Sequence, residues 1–388
     1  MIHVLLDAIP IRAGGGVTHL AAMLPQLDRL AKGMTIHVLC DPTQWARLRN
    51  DYHHVRWLDC GEKPVESLWA RRRFYRKALP GLIQEHHINV FYAVGGLLPP
   101  GIEKQTATVA SPRNLLPFVA EELQKYSRLS RGFWRLQFLK KALLDSLRRA
   151  DRVILISRYG GEVFEQYLPG ITQRCDLVYH GISEAFLKPN DGQLKPSLLE
   201  PYILYISELC SYKYQIELLH ALDLLRREKG SCPHLVLVGK AQPRYKRRFD
   251  RELTRLRLAD QVTYLGPVGH DRLPALIRGA RFCAFSSGIE FCPNIVLEMM
   301  ACGAPMALSN RGPMPEIAGD SALYYDPANP AEIAKTFAAL LDNPQLIDQL
   351  GRLAEERSTR FSWSQTAQAT MDVLRKVAGE ARQAEKPT

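Results

Sequence analysis

The sequence predicts an α/β protein of two doubly wound, parallel-sheet domains, and three observations point there: its length, a strand–helix alternation that occurs twice, and a breaker-rich joint between the two runs. A chain of 388 residues is long for one domain, since domains usually run to roughly 100–200 residues. In the first half the apolar runs Ile2–Leu6, Thr35–Leu39, Val55–Leu58, Asn89–Tyr92, Thr106–Ala110, Arg152–Ile156 and Leu177–Tyr179 are separated by helical patterns such as Val17–Leu30. Short apolar runs bounded by helices are what a parallel sheet buried on both faces requires. The second half repeats the scheme with Tyr202–Ile206, a helix over Gln215–Arg227, then Leu235–Val238, Val262–Leu265, Phe282–Phe285, Met306–Leu308 and Leu323–Tyr325. Between them Phe186–Pro201 holds Lys188-Pro189-Asn190-Asp191-Gly192 and Pro196, which continue neither helix nor strand. The expected division is 1–185, 186–363 and a C-terminal helix and tail over 364–388, free to pack back on the N-terminal domain because no sheet needs it.

Composition narrows the function classes. With 46% hydrophobic and 23% charged residues each half can bury a core. No stretch reaches the roughly 18–20 apolar residues of a bilayer span, and Ile2-His3-Val4-Leu5-Leu6 reads as a strand rather than a signal peptide, so a cytoplasmic protein is expected. Eight cysteines stand singly without a C-x-x-C pair or zinc-like histidine spacing, so they read as reduced structural thiols and no metal is expected. The net charge of +11 asks for a polyanionic partner, and residues 1–185 carry 25 Lys and Arg against 17 Asp and Glu, so most of the excess sits in the first half. The basic residues form no nucleic-acid reader pattern, which argues against that partner.

Two clusters carry chemistry. Gly14-Gly15-Gly16 lies between the first strand and the first helix, where unobstructed backbone N–H groups suit a diphosphate, although a plain tight turn needs the same glycines. No G-x-G-x-x-G accompanies it, which argues against a nicotinamide-dependent oxidoreductase. The second cluster runs from Glu290 through Pro293, Asn294 and Ile295 to Glu298, after the strand Phe282–Phe285, so Glu290 falls at the carboxyl end of a parallel strand, where open α/β sheets bind ligands. Asn294 reads as an N-cap. Free N–H groups around Ile295 and Val296 are expected to meet phosphate, Glu298 to accept from vicinal ribose hydroxyls, and Glu290 to accept from a sugar. Solvated surface carboxylates are the alternative reading.

Glu290 and Glu298 with Pro293-Asn294-Ile295-Val296-Leu297, then Ala301-Cys302-Gly303-Ala304-Pro305, Gly312-Pro313-Met314-Pro315-Glu316-Ile317 and Ala322-Leu323-Tyr324-Tyr325-Asp326-Pro327, resemble the E-x7-E region of glycosyltransferase family 4. Gly14-Gly15-Gly16 with Thr18-His19-Leu20, Ser157, His180-Gly181-Ile182, Gly239-Lys240 and Leu265-Gly266-Pro267-Val268 resemble that family's other loops in the same order. The resemblance implies a retaining transferase of GT-B architecture, two facing Rossmann-like domains with an interdomain cleft, and a nucleotide-sugar donor. It implies donor contacts at Gly15, Gly16, Lys213, Gly239, Lys240, Val268, Glu290, Pro293, Asn294, Ile295 and Glu298. Lys213 matches the lysine that neutralises the donor diphosphate. Two departures stand out: Ser207-Glu208-Leu209 replaces the family's Gly-Arg-Leu, and Ser111-Pro112-Arg113-Asn114 replaces a segment that often carries a histidine. Arg113 and Asn114 are therefore candidates for the catalytic or acceptor side, against the plainer reading of a loop arginine and an N-cap asparagine. The Arg-Asn-x-x-Pro-Phe run is similar to that of bacterial O-antigen and exopolysaccharide transferases.

From Arg128 to Arg149 basic residues alternate with apolar ones. Leu129, Phe133, Leu136, Leu143 and Leu147 share one helical face, Lys140 intrudes on it, and Trp134 and Phe138 fall off it. Arg128, Arg131, Arg135, Trp134 and Phe138, with a second patch at Arg71, Arg72 and Arg73, are expected to meet an anionic membrane surface and its acceptor. A core-packed helix with a solvated basic side is the plain alternative. The expected protein is peripheral on the inner face of the membrane, takes a nucleotide-sugar donor, with GDP-mannose preferred, and passes a hexose to a lipid-linked or polysaccharide acceptor. No metal cofactor is expected, because no Asp-x-Asp motif occurs. A catalytically silent sugar-nucleotide-binding scaffold is the alternative that Glu208 raises.

Overall fold

The computed structural model describes residues 1–11, 15–41, 45–46, 52–124, 127–188 and 201–384. Gly14, most of the breaker-rich joint and the last four residues lie outside them. The chain forms two compact units, one of Met1–Gly181 with Ser362–Thr388 and one of Ile182–Phe361. The units part four residues before the expected 185, and Trp363, assigned by sequence to the second domain, belongs to the first. The reason is steric. A Cβ on Gly181 would lie 2.1 Å from the Trp363 backbone nitrogen, so only glycine lets these two segments pack.

Unit 1 is a seven-stranded parallel sheet of β1 (Ile2–Asp7), β2 (Met34–Cys40), β3 (Val55–Asp59), β4 (Val90–Ala93), β5 (Ala107–Ala110), β6 (Arg152–Leu155) and β7 (Cys175–Leu177), in the order β3-β2-β1-β4-β5-β6-β7. The order reverses between β1 and β4, with Leu5 in register with His37 on one side and Phe91 on the other. The helix Gly15–Leu30 buries Leu20, Met23, Leu24 and Leu27 against the sheet. The final helix, Trp363–Ala384, packs beside it with Ala367, Met371, Leu374, Val377 and Ala378 buried. Arg375 donates to the Leu30 carbonyl at 3.0 Å, satisfying an acceptor that the end of the first helix leaves open. Truncating a buried side chain such as Met371 to alanine in such a contact costs about 2–5 kcal/mol.

Unit 2 is a six-stranded parallel sheet of β8 (Tyr202–Ile206), β9 (His234–Val238), β10 (Val262–Gly266), β11 (Phe282–Phe285), β12 (Met306–Ser309) and β13 (Ala322–Tyr325), in the order β10-β9-β8-β11-β12-β13. Every residue of β8, β11 and β12 is buried, which explains why their sequences are apolar but for Ser309 at the end of β12. The helix Gln215–Lys229 buries Ile216, Leu218, Leu219, Leu222 and Leu225, and Gly230 ends it in the left-handed conformation at φ 76°. The sheet order reverses between β8 and β11, so the loops leaving those strands open at the place where such sheets take ligands.

The basic segment is a helix over Arg131–Arg149, capped by Ser130, whose hydroxyl accepts from the Phe133 N–H at 3.1 Å. Leu129 was expected on the apolar face but precedes the cap and is 95% exposed. Gly132 sits in the first turn, where it costs less than in mid-helix. Lys140 meets rings rather than solvent: its ammonium lies 3.9 Å from the centroid of Tyr167 and 5.6 Å from that of Phe118. Among the described residues, no helix is long and apolar enough to cross a membrane.

Candidate active site

In unit 2 the loops at the carboxyl ends of the strands gather the charged residues. After β8 the chain makes a short turn over Ser211–Lys213. The Lys213 carbonyl accepts from the Tyr205 hydroxyl at 2.6 Å and its N–H donates to the Cys210 carbonyl at 3.1 Å. The Lys213 ammonium then donates to Glu290 Oε1 and sits 4.7 Å from the Phe285 ring centroid. Both side chains of this pair are mostly shielded from solvent, which strengthens their attraction relative to a surface pair. The loop carrying Glu290 is tied to the lysine turn, because the Gly288 N–H donates to the Tyr212 carbonyl at 2.8 Å.

Eight residues on from Glu290, Glu298 is buried at 9% exposure in the helix Asn294–Ala301. Its Oε1 lies 3.0 Å from Nε2 of His270, and that bond holds the His270 imidazole pKa above its usual value. The His270 ring packs edge-on against Phe186 at 5.0 Å. This carboxylate is therefore held in place by a histidine from the turn after β10, a partner that sequence reasoning did not find.

Two details of this segment differ from expectation. Pro293, not Asn294, occupies the N-cap position, and no side chain caps the helix. The Val296 N–H donates to the Pro293 carbonyl at 2.9 Å and the Leu297 N–H to the same oxygen at 3.4 Å, which withdraws Val296 from the donors expected to meet phosphate. A proline carbonyl folds back here because the helix opens with a tightened turn.

The remaining loop residues are backbone devices. Gly239 has φ 139°, and a Cβ there would lie 2.0 Å from the Ser207 carbonyl oxygen. Its N–H donates to the Gly266 carbonyl at 2.9 Å, so that donor serves the loop. The Lys240 carbonyl accepts from the Leu209 N–H at 2.7 Å while its side chain is exposed; Val268 is half-buried. Glu208, standing where a cation was expected, turns its side chain to solvent, and Gln215 Nε2 holds its carbonyl at 2.9 Å. Arg311, which sequence reasoning passed over, donates to Asp326 Oδ1 at 2.9 and 3.2 Å.

Unit 1 presents a different cluster. Arg113 donates from Nε to the Val94 carbonyl at 2.8 Å, from Nη1 to His180 Nε2 at 2.8 Å and from Nη2 to His19 Nε2 at 2.9 Å. An arginine only donates, so both imidazoles accept through Nε2 and carry their proton on Nδ1. Burial, then the Arg113 charge, pushes the His19 pKa well below its usual value. Trp363 meets the His19 ring edge-on at 5.3 Å and the His180 ring at a tilt at 5.6 Å. Asn114 is exposed, and its Oδ1 accepts from the Leu116 N–H at 2.9 Å as a turn cap would. Gly15 opens the first helix, and a Cβ on Gly16 would press on Ile11 at 3.1 Å. On the basic face Trp134 and Phe138 are 54% and 69% exposed. Leu68 and Trp69 beside Arg71, Arg72 and Arg73 are more exposed still.

Two parallel α/β units with these loops define the GT-B class of glycosyltransferase folds, and solved structures agree. Sucrose-phosphate synthase from Thermosynechococcus elongatus superposes over 98% of this chain and 100% of its own, with TM-score 0.73 at 18% identity. HepE of Anabaena, in complex with UDP, covers 97% and 100% with TM-score 0.71 at 18% identity. The model of Glycosyltransferase Family 4 matches residues 13–186, and that of Glycosyl transferases group 1 matches residues 190–357. The chain belongs to the family 4 glycosyltransferases. Among curated relatives, a D-inositol 3-phosphate glycosyltransferase of Catenulispora acidiphila is 31% identical over 44% of this chain and 42% of its own length. O-antigen chain mannosyltransferase B of Escherichia coli is 24% identical over 62% and 65%. The chain spans about half the length of the curated relatives it matches most strongly.

Proposed function

We propose that this protein moves a hexose from a nucleotide-diphosphate donor, with retention of configuration, to a lipid-linked or cell-surface polysaccharide acceptor. The observation that carries the reading is the pairing of Lys213 with Glu290 on the same sheet edge that holds Glu298 against His270. A cation for the diphosphate, a carboxylate for ribose and a carboxylate for sugar hydroxyls thus come from adjacent loops, which is the set a nucleotide sugar needs. Lys213 stabilises the departing diphosphate, the largest catalytic contribution in such a site. The acceptor hydroxyl forms the new bond to the anomeric carbon on the face from which the phosphate oxygen leaves, and its proton passes to that oxygen.

Charge neutralisation by Lys213 and the adjoining helix ends makes a metal unnecessary, so EDTA should leave turnover unchanged. Donor preference is read from the relatives. The Escherichia coli relative is named a mannosyltransferase, which favours GDP-mannose, while the Anabaena structure holds UDP and makes UDP-sugars the competing choice. The acceptor side falls to unit 1, where the exposed Trp134, Phe138 and Trp69 among arginines suit the anionic inner surface of a membrane. A silent nucleotide-sugar-binding scaffold is the second reading, favoured by Glu208 in place of a cation.

The test is donor consumption. Incubation with GDP-mannose or a UDP-hexose and a membrane extract, in EDTA, should release the nucleoside diphosphate and label a lipid or polysaccharide fraction. Saturable donor binding without release would favour the scaffold.

A further inference from the structure

Next to Lys213 the backbone does something costly. Tyr214 has φ 52° and ψ 35°, the left-handed region, at the N-cap of the helix Gln215–Lys229. A bulky aromatic residue there is a genuine outlier, and such a conformation persists only where its surroundings over-determine it. Two neighbours hold the ring in place. The Tyr214 ring lies over Gly288, where a Cβ would come within 2.7 Å of its Cε2. Arg311 Nη1 donates to the Tyr214 hydroxyl at 3.1 Å, and the guanidinium carbon stands 5.6 Å from the ring centroid.

Arg311 is fixed in turn. Its Nε and Nη2 fork onto Asp326 Oδ1, and its backbone N–H donates to the Ser309 hydroxyl at 3.1 Å. Asp326 Oδ1 also accepts from the Ala328 N–H at 3.1 Å. The neighbouring Gly312, at φ 67°, lies beside Glu290, whose carbonyl oxygen a Cβ there would touch at an ordinary contact distance of 3.7 Å. A continuous strut therefore crosses the carboxyl edge of the sheet, from Asp326 after β13 through Arg311 after β12 to Tyr214 after β8. One end abuts the lysine turn, and its middle abuts the loop of Glu290.

We propose that Tyr214 and Arg311 are positioning residues whose task is to aim the Lys213 ammonium. Lysine is a point charge on a flexible four-carbon stem, so its aim depends on where its backbone is held. A purely structural role does not explain a strained aromatic residue here: glycine would fill a left-handed position without strain, and only the ring and hydroxyl reach Arg311. The inference rests on the reading of Lys213 as the diphosphate cation.

The experiment is a double-mutant cycle read by calorimetric titration with UDP and GDP. Tyr214→Gly relieves the backbone and removes the strut. It should weaken binding on the order of tenfold where Lys213 is present, and change it by less than about twofold in Lys213→Ala, the signature of action through one partner. Because the Tyr214 ring is buried, the melting temperature of Tyr214→Gly should fall, and the titrations are run well below it. Arg311→Lys keeps the charge but loses the fork, and should repeat the pattern if the glycine variant folds poorly. Equal weakening in both backgrounds, or none where Lys213 is present, overturns the proposal while leaving the parent reading intact. Lys213→Ala binding both nucleotides as wild type would instead sink the parent reading and this inference with it.

Discussion

The two sheets have the same architecture and treat charge at their carboxyl edges in opposite ways. Unit 2 keeps its edge ionic: Lys213 with Glu290, His270 with Glu298 and Arg311 with Asp326. Unit 1 buries its edge and so disfavours charge there. His19 is buried with its pKa driven down, and Asp7, at the end of β1, is fully buried with its carboxyl pushed up to about 6 by burial. Arg113 brings a fixed cation to the two imidazoles, which accept from it as neutral rings, and Arg71 is the cation near Asp7. The difference fits a division of labour. An edge that receives a diphosphate needs charges that a ligand can re-pair, whereas an edge that receives uncharged hydroxyl groups loses nothing by being dry and hostile to charge.

Changing each edge separately can break this comparison. The largest effect belongs to unit 2: Lys213→Ala should lower turnover by about 10²–10³, since the donor it removes is aimed at charge that grows in the transition state. Release of nucleoside diphosphate from the preferred donor measures it, and a loss under tenfold would mean that the leaving group is stabilised elsewhere.

The next effect belongs to unit 1 and appears in stability. Asp7 accepts from the Tyr75 hydroxyl at 2.6 Å and from the Ile9 N–H at 3.1 Å. Its folded pKa of about 6 exceeds the ordinary 3.8, so the folded state favours the protonated form. That contribution is present below pH 3.8 and is lost as pH rises through about 6. Asp7→Asn does not titrate, so its stability relative to wild type should climb by about 2 kcal/mol between pH 4 and pH 7.5. Urea midpoints across that range check it, and a pH-independent difference would show that Asp7 is ionised at no cost.

A smaller effect sharpens the surface side. Trp134→Ser with Phe138→Ser should weaken co-sedimentation with anionic vesicles without lowering the melting temperature, because both rings are exposed. Binding should fall with salt, each basic residue near such a surface contributing about 1 kcal/mol. Unchanged sedimentation would remove this helix from the membrane.

How much of this was legible follows from sequence separation. Glu290 and Glu298 lie within one strand–turn–helix passage, so their spacing alone placed both on one edge. His270 is 28 residues from Glu298 and Arg113 is 94 and 67 residues from His19 and His180. No local periodicity reports such contacts; only the sheet order brings them together. Leu129 was misplaced for a local reason, since Ser130 caps the helix and ends the heptad-like pattern one residue after it. The strut escaped notice because left-handed backbone is signalled by glycine or asparagine, and here the position is filled by Tyr214.

If Glu298 serves the nucleotide and Glu290 the sugar, calorimetric titration of UDP and GDP into wild type, Glu298→Ala and Glu290→Gln separates the two roles. A carboxylate hydrogen-bonded to ribose contributes about 1.5–3 kcal/mol, so Glu298→Ala should weaken the preferred nucleotide by about 10- to 100-fold. Glu290→Gln should bind it as tightly as wild type or up to severalfold tighter, because the Lys213 ammonium no longer has a competing carboxylate. Equal losses in both variants, or binding indifferent to Glu298, would contradict the account.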